Sequence, residues 1–255
     1  MTTAIADGWT MTGRYLRHVV REPEQIIIYF SLPIMFVLVF GYVFGSGMAV
    51  GGDSYREYLV PGVFVMTQLY GLGATATAIS LDISRGVVDR FRSMPTARSA
   101  LMVGRSTADL ARAVLEMLVL VVCGLLVGWQ WNLGPGQALA AVGLILLLRV
   151  ALTWVGIYLG SVVRNPDTVS LIVFPLAFPL TALSNVFVPP DRMPGWLGTI
   201  SEWNPISATV AAARELFGNP GAHGEHALLL AVAWPLVLLA VFAPLAVRNY
   251  RKLGR

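Results

Sequence analysis

An all-α integral membrane fold with six transmembrane helices is what this sequence predicts, on three observations. Of its 255 residues, 56% are hydrophobic and only 13% charged, where a soluble domain carries about a quarter charged. Several apolar runs reach about 20 residues, enough at about 1.5 Å per residue to cross a hydrocarbon core about 30 Å thick. Arginine falls almost entirely in alternate connections between those runs, the pattern that orients multi-spanning chains.

The spans are predicted at 26–45, 58–81, 110–130, 138–161, 168–188 and 227–247. Pro33, Pro61, Pro175, Pro179, Pro235 and Pro244 fall inside them, which a bundle tolerates because neighbouring helices satisfy the freed carbonyls. With the N-terminus in the cytoplasm, Arg14, Arg17, Arg21, Arg85, Arg90, Arg92, Arg98, Arg105, Arg112, Arg164, Arg248, Arg251, Lys252 and Arg255 lie inside. Only Arg56, Arg192 and Arg214 lie outside, and Arg149 is within a span. The expected product is a multi-pass protein of the cell membrane with both termini cytoplasmic. The start lacks a signal peptide's basic region and small-residue cleavage site, so the first span is expected to serve as an uncleaved insertion signal. The formal charge of +4 therefore reports topology rather than nucleic-acid binding. Cys123, the single cysteine, excludes an intrachain disulfide and any cysteine-based redox motif.

Three connecting segments carry more pattern than a solvated loop requires. Residues 8–24 are amphipathic at helical period, with Trp9, Leu16, Val19 and Val20 on one arc and Arg14, Arg17, His18 and Arg21 opposite. Such a helix lies flat in the membrane interface. Between the second and third spans runs RGVVDRFRSMPTARSALMVGR. Val87, Phe91 and Met94 form one face there, Arg85, Asp89 and Arg92 another, and Pro95 stops the helix. Thr96 or Ser99 can cap the next helix, which runs into the third span. A merely solvated loop explains the arginines but not the apolar face. The connection 189–225 predicts short semi-buried external helices, Asn204 capping one with Pro205 at its first position. Ile206, Val210, Ala213 and Phe217 share a face, and Trp196 and Trp203 sit at interface depth. A loop packed across the top of the bundle fits the same residues.

The chemistry of many function classes is missing. A Walker A loop needs a lysine after a Gly-rich turn, and the only lysine is Lys252. The histidines, His18, His223 and His226, all lie outside the spans. No catalytic set and no metal site is therefore expected, the His223–His226 pair lacking a third ligand. Ion-coupled transporters keep ionisable groups deep in the membrane. The candidates are Glu116 and Arg149, on adjacent antiparallel spans, with Arg112 one turn before Glu116 as the competing partner. A structural ion pair is the expected use of Arg112, Glu116 and Arg149. The spacings Gly41–Gly45, Gly124–Gly128 and Gly156–Gly160 permit close helix approach. Gln68, Gly71 and Thr75 share a face of the second span. In the fifth, Pro175 and Pro179 can bend the helix, and Ser184 and Asn185 are polar near its outer end. These residues either line a cavity or make packing hydrogen bonds, and the sequence leaves both readings open.

The interfacial helix, six spans, basic loop and semi-buried last connection together resemble the ABC-2 type permeases, the membrane subunits of ATP-driven exporters, and within them the daunorubicin-resistance type of high-GC bacteria. The resemblance covers nearly the whole chain as a single domain, 1–255. It is carried by LPIMFVLVFGYVFG, the arginine-rich loop, RNPDTVSLIVFPLAFPLTALSNVFVP and MPGWLGTISEWNPISATVAAAREL, in that order. Asp89 departs from it, standing where Glu is the commoner choice. The resemblance implies a second permease subunit, in a homodimer or heterodimer, and two copies of a separate cytoplasmic ATPase that brings ATP and Mg. None of that cofactor binds this chain. It also implies that 85–95 is a coupling helix seated in the ATPase, with Phe91 as apolar anchor, Arg90 and Arg92 as charged contacts, and Arg85, Gly86, Val87, Asp89, Met94 and Pro95 completing it. The substrate path implied is built from the second and fifth spans, hence from Gln68, Gly71, Thr75, Pro175, Pro179, Ser184 and Asn185. The expected activity is export of an amphipathic drug-like or lipid-like molecule. A cell-wall lipid or glycan exporter, or an ATP-independent secondary transporter, are the alternatives.

Overall fold

The computed structural model describes residues 31, 33–39, 42, 49–50, 53–86, 98–163, 165–222, 224 and 226–252. These are helical apart from turns and a two-residue antiparallel ladder of β1 (Ala49–Val50) with β2 (Asp53–Ser54). The helices are α1 (Tyr55–Ser84), α2 (Arg98–Leu126), α3 (Pro135–Val162), α4 (Pro166–Ala182), α5 (Gly195–Trp203), α6 (Pro205–Phe217) and α7 (Ala227–Lys252), with a 3₁₀ turn at Pro190–Arg192 before α5. The interfacial segment 8–24, most of the span 26–45 and residues 87–95 lie outside the described residues, although 33–39 are helical and Val37 joins the core.

Tyr55–Ser84, Pro135–Val162 and Ala227–Asn249 are long and apolar enough to cross a membrane, and Pro166–Ala182 is apolar but shorter. Polarity follows position. The central helix α1 is buried on nearly all sides and carries Thr67, Gln68, Thr75 and Ser80, all buried. Its surroundings are protein, so it has no need of a lipid-compatible exterior. The peripheral α7 is the most apolar of the three and the least buried, exposing Leu229, Leu236 and Val237.

Two boundaries differ from expectation. The third span was expected at 110–130, but α2 begins at Arg98 and stops at Leu126. Its first turns bear Arg98, Arg105, Asp109 and Arg112, so only its second half is uniformly apolar. It ends because Gly128 takes a φ of +94°, a conformation favourable only for glycine, and Trp129 turns into the core. The fifth span was expected to reach 188, yet α4 stops at Ala182. Beyond it, Ser184 Oγ donates to the Thr181 carbonyl, while the carbonyls of Asn185 and Val186 are taken by donors from other elements.

Asn-Pro starts two helices. Asn165 accepts from the Asp167 amide and Asn204 from that of Ile206, each at 2.9 Å, and proline follows where a helical N–H would be idle. The expected cap at Asn204 and buried face of Ile206, Val210, Ala213 and Phe217 are both present. Helix α6 is buried almost throughout, packed on α1, α3 and α7, while α5 leaves Trp196 and Trp203 exposed. We call this the hairpin end. The opposite, arginine-rich end holds the α1–α2 and α3–α4 connections and the C-terminus of α7.

Candidate functional site

At the arginine-rich end, Arg85 and Gly86 form the closing turn of α1, the Arg85 amide donating to Leu81 at 3.0 Å and Gly86 having a φ of +66°. This is a glycine C-cap, so the two residues terminate α1 rather than begin a separate helix. Val87, Asp89, Arg90, Phe91, Arg92, Met94 and Pro95 lie outside the described residues.

The seven residues expected along a path fall in three places. Gln68, Gly71 and Thr75 lie in the interior where α1, α2 and α3 meet. There Arg149 of α3, fully buried, donates from one Nη to Asp109 Oδ2 at 2.8 Å and from the other to the Gln68 carbonyl at 3.1 Å. The same Asp109 oxygen accepts from Thr153 Oγ1 at 2.6 Å and lies 3.0 Å from Thr75 Oγ1. Gly71 makes room for this. A Cβ there would coincide with the Arg149 guanidinium. The side-chain amide of Gln68 and the Arg149 Nε are buried without a partner among the described residues.

Of the two pairings left open for Glu116, the structure has the one with Arg112, and Arg149 takes a different carboxylate. Arg149 binds Asp109, and Glu116 is held by Arg112 on its own helix at 2.9 Å. The i, i+4 contact within a helix is available without any fold, whereas Arg149 reaches the carboxylate that tertiary packing brings nearest. Asp109 falls one residue before the span predicted at 110–130. The signal was nonetheless present. Extending the buried face of Ala113, Met117 and Leu120 back by one turn reaches Asp109.

Ser184 and Asn185 form the second place, in the buried join between α4 and the α5–α6 hairpin. The Asn185 amide and carboxamide nitrogens donate to Ser207 Oγ and the Ser207 carbonyl at 3.0 and 3.2 Å. The Asn185 carbonyl accepts from Tyr58 Oη at 2.6 Å and from Arg214 at 3.1 Å. Arg214 also donates to the carbonyls of Tyr58 and Val186 at 2.9 and 3.2 Å and lies 3.5 Å from the centre of the Tyr58 ring. Burial pulls this guanidinium down to about 10, which leaves it a cation at neutral pH. It is held by three carbonyls and an aromatic face. This arginine of the connection 189–225 is a structural clamp.

Pro175 and Pro179 occupy the third place. With Leu176, Leu183, Ile200 and Trp203 they line an open groove of about 550 Å³ between α4 and α5, its lining almost wholly apolar. Helix α4 turns Val169, Val173, Ala177 and Thr181 towards the core, mainly onto α1. Away from the core it exposes an apolar face that includes Leu171, Phe174 and Phe178. An uncovered face of this kind suits lipid or an apolar ligand and no aqueous chemistry. Among the described residues no cluster of His, Cys, Asp or Glu could hold a metal ion.

Residues 7–217 match the family model described as ABC-2 type transporter. The chain belongs to the ABC-2 type transporter family. Over 252 residues this permease is 35% identical to the daunorubicin resistance ABC transporter permease protein DrrB1 of Streptomyces coeruleorubidus, covering 98% of this chain and 87% of that one. It is 27% identical over 263 residues to the probable doxorubicin resistance ABC transporter permease protein DrrC of Mycobacterium tuberculosis, covering 97% and 89%. A more distant relative, the probable multidrug ABC transporter permease YbhR of Escherichia coli, is 19% identical over 166 residues, 64% of this chain and 44% of that one. The expected resemblance to drug-resistance permeases is thus shown, and the ABC-2 permease is by descent a membrane-embedded transporter subunit.

Proposed function

We propose that this ABC-2 permease exports an amphipathic, drug-like or lipid-like molecule with energy from a separate ATPase. In this reading six spans place both termini in the cytoplasm of a bacterial cell membrane. Two permease subunits sit over two ATPase subunits, which bind ATP and Mg and dock on residues 85–95. The observation that carries the cargo class is the groove between α4 and α5. Its lining offers dispersion and apolar burial with Thr199 and Asn204 as the polar exceptions, the composition of a site that takes an apolar body with a small polar end. The names of the relatives supply the first probes, daunorubicin and doxorubicin.

The intramembrane acids favour ATP drive over a proton relay. Asp109 is engaged by Arg149 and Thr153, and Glu116 by Arg112, so both of these carboxylates already have a cation beside them.

The test is ATP turnover by the purified permease–ATPase complex in lipid nanodiscs. Daunorubicin is expected to stimulate turnover several-fold, and Trp203→Ala to abolish most of that stimulation while basal turnover stays. Stimulation by water-soluble sugars alone would overturn the cargo class. Failure of an ATPase to co-purify with wild type, or indifference of assembly and turnover to both Phe91→Ala and Arg92→Glu, would overturn the coupling assignment.

A further inference from the structure

We infer that Asp109 and Arg149 are positioning residues whose buried ion pair makes α2 move with the α1–α3 core when the ATPase acts. The inference rests on the reading of residues 85–95 as the docking segment, because α2 is the first helix after that segment.

Helices α1 and α3 form one body. Gly156 and Gly160 of α3 lie so close to the carbonyls of Leu72 and Ala76 that neither position admits a Cβ. Ser80 Oγ also donates to the Val163 carbonyl at 2.7 Å. Helix α2 is fastened differently. At the hairpin end Gly124 lies against Val60 and Phe64, and Trp129, in the turn after α2, donates to Asn219 at 3.0 Å. Towards the arginine-rich end the buried side chains among the described residues include the small Ala108 and Ala113, and Asp109 ties the helix to the core. The tie sits in the half of α2 nearest the docking segment.

A single carboxylate oxygen receives donors from both partner helices, Arg149 and Thr153 from α3 and Thr75 from α1. A slide of α2 by one residue, about 1.5 Å, stretches this shared set of bonds towards or past the limit of hydrogen bonding near 3.2 Å. Helix α2 therefore either carries α1 and α3 with it or leaves a buried arginine without its carboxylate. Stability gives little reason for such a pair, because well-packed apolar side chains of similar size commonly serve a buried site as well or better. That comparison also supplies the test.

In a Cys123→Ala background, an environment-sensitive fluorophore is placed at Trp196→Cys, at the hairpin end and outside the groove. The complex with its ATPase is assembled in nanodiscs, and the spectral change on adding ATP and vanadate is measured. No cargo need be known. The double variant Asp109→Leu with Arg149→Met is expected to assemble, to melt within a few degrees of wild type and to hydrolyse ATP, with the nucleotide-dependent change reduced at least tenfold. Thr75→Val with Thr153→Val, which keeps both charges, is expected to reduce it about threefold and keeps the inference testable if the first variant fails to fold. A full response in either folded variant would overturn the latch. If wild type assembles but does not respond, the premise of coupling at 85–95 fails instead, an outcome distinguished by Phe91→Ala and Arg92→Glu leaving assembly unchanged.

Discussion

Gly71 shows how much one missing methyl group can carry. Its Cα faces the Arg149 guanidinium with no room for a side chain, so Gly71→Ala is expected to expel the cation from its place beside Asp109. Breaking a buried pair costs about 3–5 kcal/mol, and the thermal midpoint in detergent should fall accordingly. The control is Gly143→Ala on α3, where an added Cβ meets nothing within 4 Å. That change is expected to be neutral or to stabilise by about 0.5–1 kcal/mol, through lower backbone entropy in the unfolded chain. Equal midpoints for the two variants would show that the Arg149 notch does not govern Gly71. Arg214 makes a parallel case. Its three carbonyl contacts use the planar fork of a guanidinium, so Arg214→Lys keeps the charge but not the geometry. With each lost bond to a charged group worth about 1.5–3 kcal/mol, a marked drop in midpoint is expected, measured by the same thermal scan.

Among the elements, the α5–α6 hairpin is tied to α4 itself by Asn204, beside the network at Asn185 and Arg214. Asn204 caps α6 through Oδ1 and donates from Nδ2 to the Leu180 carbonyl at 2.7 Å. Asn204→Asp retains the cap, since aspartate is as good an N-cap, but has no donor for Leu180. Asn204→Ala loses both. The expected order of midpoints is wild type, then Asp, then Ala, with the cap worth about 1 kcal/mol. If the aspartate variant melts with the alanine one, the tie to α4 matters more than the cap. The cap and the face of Ile206, Val210, Ala213 and Phe217 were legible in the sequence because both are local, resting on the next two residues and on the 3.6-residue period. The end of α4 was not legible. Residues 183–188 read as continued apolar helix, and what stops them is Arg214 and Tyr58, which compete for their carbonyls from 28 and 127 positions away in the chain.

For the whole molecule, the arginine distribution makes a topological prediction. In a Cys123→Ala background, cysteines at Arg85 and at Trp196, which are exposed at opposite ends of the described bundle, should label from opposite sides. A membrane-impermeant maleimide added to intact spheroplasts is expected to reach Trp196→Cys readily and Arg85→Cys only after permeabilisation. The reverse pattern would invert the assigned orientation. Composition, run length and arginine placement by themselves determined that this is a helical membrane protein, and four ordered fragments determined its family. These are properties of the solvent the chain meets, lipid or water, and each stretch of sequence answers to that solvent alone. Which side chain Arg149 pairs with, why Gly71 must be glycine, and which of the seven polar or proline positions face the groove were decided by the tertiary structure. Ion pairs and close contacts depend on which helices lie side by side and at what height, and no local period in the sequence encodes that.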